Sequence, residues 1–189
     1  MMPALKTLIL RLLDEHRIMT IATNRPDGWP QATVVGYVND GYLLYCFVGR
    51  DTQKYANILR DPRVSIAIGS DAADPMAIKG LSLAGMASEV ADRAEFDDIG
   101  KLRLQRYPEY LTLPPPASAD DALTRISPEA SPARIALLRI APEVISVLDY
   151  AKGFGHTDLV TFSASDLDVH LESRRHRWNG GNDGGRSPQ

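Results

Sequence analysis

The stretch "RIMTIATNRPDGWPQATVVGYVNDGYLLYCFV", Arg17 to Val48, decides the fold. Short runs of β-branched and aromatic residues alternate with turn formers, a pattern that reads as strands. Asp27-Gly28 and Asp40-Gly41 are the dipeptides that supply left-handed backbone in tight hairpins. The expectation is three strands, "RIMTIATN", "QATVVGYVN" and "YLLYCFV", joined in an antiparallel meander.

Working outward, "ALKTLILRLLDEHR" is amphipathic. Leu5, Leu8, Ile9, Leu12 and Leu13 fall on one face of a helix from Leu5 to His16. After the third strand, "VGRDTQKYANILRD" reads as a helix with Tyr55, Ile58 and Leu59 on one side. Asp51 or Thr52 is its N-cap and Asp61-Pro62 its stop. "RVSIAIG" is the next strand, and "AIKGLSLAGMASEV" is a long one in which Gly80 and Gly85 allow a bend or bulge. "DRAEFDDIGKLRLQRY" is a helix with acids early and bases late, in agreement with its dipole.

A proline-rich excursion follows, with one short helix expected around Asp120 to Arg125. "ARIALLRIAPEVISVLDY" reads as two strands bent at Pro142, and "KGFGHTD" as an irregular loop. A C-terminal helix is expected at about 164–177, capped by Ser163 or Ser165. Residues 179–189 read as a disordered tail. Short strands in hairpins point to one mainly β domain over residues 1–178, a β-barrel with flanking helices, rather than a parallel sheet.

Composition narrows the function. The net charge of −3 over 189 residues gives no global electrostatic case for nucleic acid. Cys46 is the single cysteine, so neither an internal disulfide framework nor a cysteine-based zinc site can form. No run approaches the ~20 apolar residues of a membrane-spanning helix. The expectation is a soluble cytoplasmic protein.

One feature conflicts with its surroundings. Arg50 and Lys54 flank the start of a helix, where partial positive charge favours acids. Free N–H groups, two cations, the neutral donors Thr52 and Gln53, and a small Gly49 together suit a phosphate dianion. The alternative is that both cations are solvated and Asp51 merely caps the helix.

Met19 to Gly69 resembles the pyridoxamine 5'-phosphate oxidase-like family, the FMN-binding split β-barrels. The features that carry the resemblance are Ala22-Thr23, the Asp27 to Pro30 turn, the aromatic-rich third strand, Thr52 to Lys54, and Asp61 to Val64, in that order. The resemblance implies an antiparallel split β-barrel that dimerises with itself and holds FMN between subunits. It implies that Lys54, with Thr52 and Gln53, meets the FMN phosphate. Relatives often carry Arg where Gln53 stands, and Arg50 is the candidate replacement. The strand Thr33 to Val38, including Val35, would run beside the isoalloxazine ring. Phe47, Val48, Lys79 and Gly80 fall on strands that reach the flavin.

The chain lacks the basic C-terminal segment of true pyridoxamine phosphate oxidases, so the expected function is a flavin-dependent oxidoreductase acting on an unknown small molecule. Two alternatives stand beside it: a non-enzymatic flavin or haem protein, and a deazaflavin-dependent reductase. No protein nucleophile or metal is required, and no catalytic residue is named. His156, between Gly155 and Thr157, is a candidate donor to a flavin or substrate, against a purely structural role. Trp178 is read as packing on the barrel, against a place near the partner's flavin. His16 and His170 read as surface residues, and Glu89 and Asp92 as solvated carboxylates.

Overall fold

The computed structural model describes residues 3–69, 71–111, 134–162 and 171–177. Helix α1 (Pro3–Glu15) buries Leu5, Ile9, Leu12 and Leu13, the stripe its periodicity dictates. β1 (Ile18–Asn24) and β2 (Pro30–Gly36) form the first hairpin, turned by Gly28 at φ 85°. β3 (Val38–Asp40) and β4 (Leu43–Gly49) form the second, turned by Gly41 at φ 57°.

The expected meander is not what forms. "QATVVGYVN" is two strands, and the sheet order is β2-β1-β5-β6-β7-β4-β3, so β2 and β3 lie at opposite ends. The break falls at Tyr37. Its N–H donates to Arg17 O at 3.1 Å and its hydroxyl to Leu13 O at 2.8 Å. These bonds anchor the chain to the end of α1 while it changes partners, a tertiary choice that strand propensity does not encode.

Helix α2 (Gln53–Arg60) and β5 (Arg63–Gly69) follow as expected. On α2, however, Leu59 is 64% exposed and Asn57 is buried in its place, beside Tyr55 and Ile58. β6 (Lys79–Glu89) shifts register between Ala84 and Gly85. A Cβ at Gly85 would stand 2.5 Å from Ala141 O, so the close approach of β7 requires glycine there. α3 (Arg93–Arg106) is capped by Asp92, whose side chain accepts from Ala94 N.

β7 (Ile135–Asp149) is one strand, not two. Pro142 sits in it opposite Gly85, at the irregularity where a missing N–H is tolerated. β8 (His156–Phe162) and β9 (Leu171–Arg177) complete the sheet as a hairpin beside β7. Residues 171–177 are thus a strand, which corrects the expected C-terminal helix over that span. Each of these residues pairs with one of β8, and ladder pairing at a free edge overrides helical propensity. The short helix near Asp120 to Arg125, the caps Ser163 and Ser165, His170, Trp178 and the tail lie outside the described residues.

The curled antiparallel sheet with its helices is a split β-barrel. One core cluster gathers α1, α2 and the inner faces of the strands around Ile9, Leu13, Ile21, Leu44, Ile66, Leu83, Leu138 and Ile145. A second lies under α3 around Phe47, Val90, Ile99 and Leu137.

Candidate functional site: the start of α2 and the strand beside it

Thr52, not Asp51, caps α2. Its Oγ1 accepts from Tyr55 N at 3.3 Å and donates to Gly49 O at 2.7 Å. A Cβ on Gly49 would stand 2.7 Å from the exposed Asp51 Oδ1, so a side chain there would displace the Asp51 carboxylate. The first-turn N–H groups of Gln53 and Lys54 have no partner among the described residues and carry the positive end of the helix dipole.

The two cations have different surroundings. Arg50 is engaged: its guanidinium bonds both oxygens of Glu89, one at 3.1 Å and the other closer, and donates to Tyr55 Oη at 2.7 Å. Tyr55 in turn donates to Glu89 Oε2 at 2.6 Å. Glu89 is therefore no solvated carboxylate. The Arg50 hydrogen bonds hold its carboxyl below the usual range, against the effect of burial.

Lys54 is half-buried, and its ammonium has no hydrogen bond or ion pair among the described residues. Burial pushes its pKa below the ordinary lysine value. The nearby Cys46 offers no thiolate to offset this, because its own burial pushes the thiol up to about 12.

Gln53 is turned back along the helix, with Nε2 donating to Asn57 Oδ1 at 2.8 Å. On β2, Thr33 Oγ1 is buried and has no hydrogen-bond partner among the described residues, and Val35 packs against the core. Phe47 and Val48 leave β4 on opposite faces. Phe47 packs edge-on against Phe96 at 5.8 Å beneath the Arg103 guanidinium, while Val48 joins the main core. Lys79 pairs with the buried Asp149 at 3.3 Å, and Gly80 lies against Gly69. β6 is separated from β2 by β1 and β5, so Lys79 and Gly80 do not converge with Thr33 within one protomer.

His156 opens β8 after the positive-φ glycines Gly153 and Gly155. Its Nε2 is buried 3.4 Å from Asp158 Oδ1, without hydrogen-bond geometry. Asp158 is buried and accepts from Lys152 Nζ at 2.6 Å. Burial raises its pKa, but the Lys152 hydrogen bond and charge, with His156, outweigh burial and leave it lowered. His16 is half-buried, with Nδ1 2.8 Å from Leu12 O. Sequence reading passed over Asn57, Tyr55 and Asp158. Only a polar residue on the buried stripe of a helix, as at Asn57, signals such a role in advance.

The outer face of the sheet carries two cross-strand rows. One runs Val34, Thr20, Ala67, Ser82, Ser146, Leu159; the next runs Ala32, Ala22, Ser65, Ala84, Val144, Thr161. From β2 to β8 neither row contains a charge, whereas at β9 the rows continue to Arg174 and Glu172; Val34 is 66% exposed. The uncharged stretch from β2 to β8 is cheap to desolvate.

This donor set fits a phosphate: a half-buried cation and two helix-start N–H groups, all without a partner among the described residues. The fold is a split β-barrel, with the start of α2 tied to the edge strand β2 through Asn57. The chain belongs to the pyridoxamine 5'-phosphate oxidase family, whose model matches residues 5–143. Among solved structures it is similar to a protein from Listeria innocua described as a putative pyridoxamine 5'-phosphate oxidase, at 23% identity and TM-score 0.58, covering 77% of this chain and 98% of that one. It is also similar to HutZ, the heme storage protein of Vibrio cholerae, at 20% identity and TM-score 0.55, covering 72% and 89%. A FAD-binding protein of Mesorhizobium loti aligns at 18% identity and TM-score 0.53, covering 77% and 92%. At these identities the likeness shows the fold. No match is found among curated proteins. Among the described residues no helix is long and apolar enough to cross a membrane.

Proposed function

We propose that the protein is a cytoplasmic homodimer that binds FMN and acts as an oxidoreductase on a small molecule. The observation that carries this reading is Lys54, half-buried without a partner among the described residues beside the open N–H groups of the α2 start. Burial has removed part of the ammonium's hydration and no protein anion replaces it among the described residues, so a ligand anion is favoured there. The FMN phosphate would be held there, by Lys54 and the N–H groups of Gln53 and Lys54. Thr33, whose hydroxyl is buried without a partner among the described residues, would face the flavin ring edge. When bound, the flavin supplies the hydride or electron transfer, and the protein supplies binding and orientation. Thr52 contributes as the cap that shapes the cradle, and Arg50 by bracing it through Tyr55 and Glu89. The uncharged stretch of the sheet face supports the homodimer.

The test is the visible spectrum of the purified protein, followed by titration with FMN. Flavin gives bands near ~370 and ~450 nm from the cofactor's own electronics. A Soret band instead would assign haem, as in the heme storage protein of the same fold, and would overturn the FMN reading. Turnover of NADH or NADPH by the FMN-loaded protein would establish the oxidoreductase part.

A further inference from the structure

Asn57 lies on α2 at 1% exposure, on the stripe that otherwise buries Tyr55 and Ile58. Its amide reaches two strands and its own helix. Nδ2 donates to Thr23 Oγ1 of β1 and to Gln31 Oε1 of β2, each at 3.0 Å. Oδ1 accepts from Gln53 Nε2, one turn back, at 2.8 Å. Both amide hydrogens and the acceptor are therefore used. A buried primary amide is tolerated only when satisfied in this way, whereas a leucine would fill the same space with no such demand.

The three links meet the elements of the candidate site. Gln53 belongs to the first turn of α2, next to Lys54. Gln31 lies two residues before Thr33, on the same face of β2. Within the sheet β2 is an edge strand bonded to β1, and the Asn57 bridge joins it to α2 as well. The buried Thr33 hydroxyl, without a partner among the described residues, stands next along the face that the bridge holds.

We propose that Asn57 is a positioning residue that holds β2 at a set distance from the first turn of α2, so that both ends of one flavin are gripped together. The inference rests on the FMN reading above. Two contacts on a single ligand reinforce each other only when their spacing matches the ligand, and a slack link removes that reinforcement while leaving each contact intact. The link should therefore matter for FMN, which uses both ends, and not for riboflavin, which lacks the phosphate.

The experiment titrates the full chain with FMN and with riboflavin, following flavin fluorescence, in wild type and in Gln31→Met and Asn57→Ala. Gln31→Met cuts only the β2 link and nearly conserves volume, so it guards against loss of folding in Asn57→Ala. In Gln31→Met the FMN affinity should fall about tenfold, on the scale of one hydrogen-bonded link, with riboflavin affinity nearly unchanged and the melting temperature lowered only by the one Asn57 N–H left without its acceptor. A merely structural role would weaken both flavins together or neither. Equal weakening of the two, or an undiminished preference for FMN, overturns this inference alone. A wild type that binds FMN and riboflavin equally overturns the phosphate anchor and this inference with it.

Discussion

Arg50 and Glu89 close on each other between the turn that enters α2 and the end of β6, with Tyr55 Oη bonded to both. A residue that sequence placed as a spare phosphate ligand thereby braces the helix instead. The pair is about one third exposed on each side, so solvent screening limits its worth to on the order of 1 kcal/mol. Glu89→Gln should lower stability by about that amount at pH 7. Because the folded Glu89 pKa is lowered, its contribution is present above the unfolded value and is lost as pH falls through the folded one. Urea melts of wild type and variant should converge in acid. A gap that persists there would mean that Glu89 acts through packing rather than charge.

Lys54 trades apo stability for ligand binding. Its folded pKa is lowered by burial, so the charged ammonium destabilises the fold at neutral pH. That penalty fades only as pH rises toward the unfolded lysine value. Lys54→Met should raise the melting temperature of the flavin-free protein. It should also weaken FMN binding by about 1.5–3 kcal/mol, the worth of a charge-assisted hydrogen bond. Unchanged FMN affinity would remove the phosphate from the start of α2.

The uncharged stretch of the sheet face predicts how the homodimer would come apart. Val34→Glu places a carboxylate at a position 66% exposed in the single chain, and a twofold contact would bury two of them together. Sedimentation should show a dimer for wild type and a shift toward monomer for the variant, with the fold retained by circular dichroism. A variant that stays fully dimeric would move the interface off these strands.

Asp158 is buried and bonded to Lys152. Removing the ammonium with Lys152→Ala leaves a buried carboxylate short of its charge partner, at a cost of about 1–3 kcal/mol. Since the folded Asp158 pKa is lowered, the wild-type advantage should hold at neutral pH and vanish as pH falls through the folded value. Denaturant melts across that range test the direction.

Gly85 is a packing prediction. A side chain there meets the Ala141 carbonyl oxygen at 2.5 Å and Pro142 Cα at 3.2 Å. Gly85→Ala should cost about 1–3 kcal/mol, the scale of overpacking against backbone that cannot yield. Gly100 has open space around it, so Gly100→Ala should be neutral or stabilising in the same melts.

Much was legible in sequence because it depends on neighbours along the chain. The stripe of α1, the glycine turns at Gly28 and Gly41, the cap-and-stop signals of α2 and the acid-to-base polarity of α3 are all short-range effects. The tertiary structure decided what depends on residues distant in sequence. It split the second expected strand at Tyr37 and sent its halves to opposite ends of the sheet. It made β7 one strand through Pro142, and it turned residues 171–177 into a strand by offering the edge of β8. In the candidate site, sequence marked Lys54 as the phosphate ligand and Arg50 as a candidate second charge. Only the fold brought Glu89, thirty-nine positions away, onto Arg50 and left Lys54 without a partner among the described residues. Charge is a property of the residue, but whether it is neutralised depends on what the folded chain places beside it.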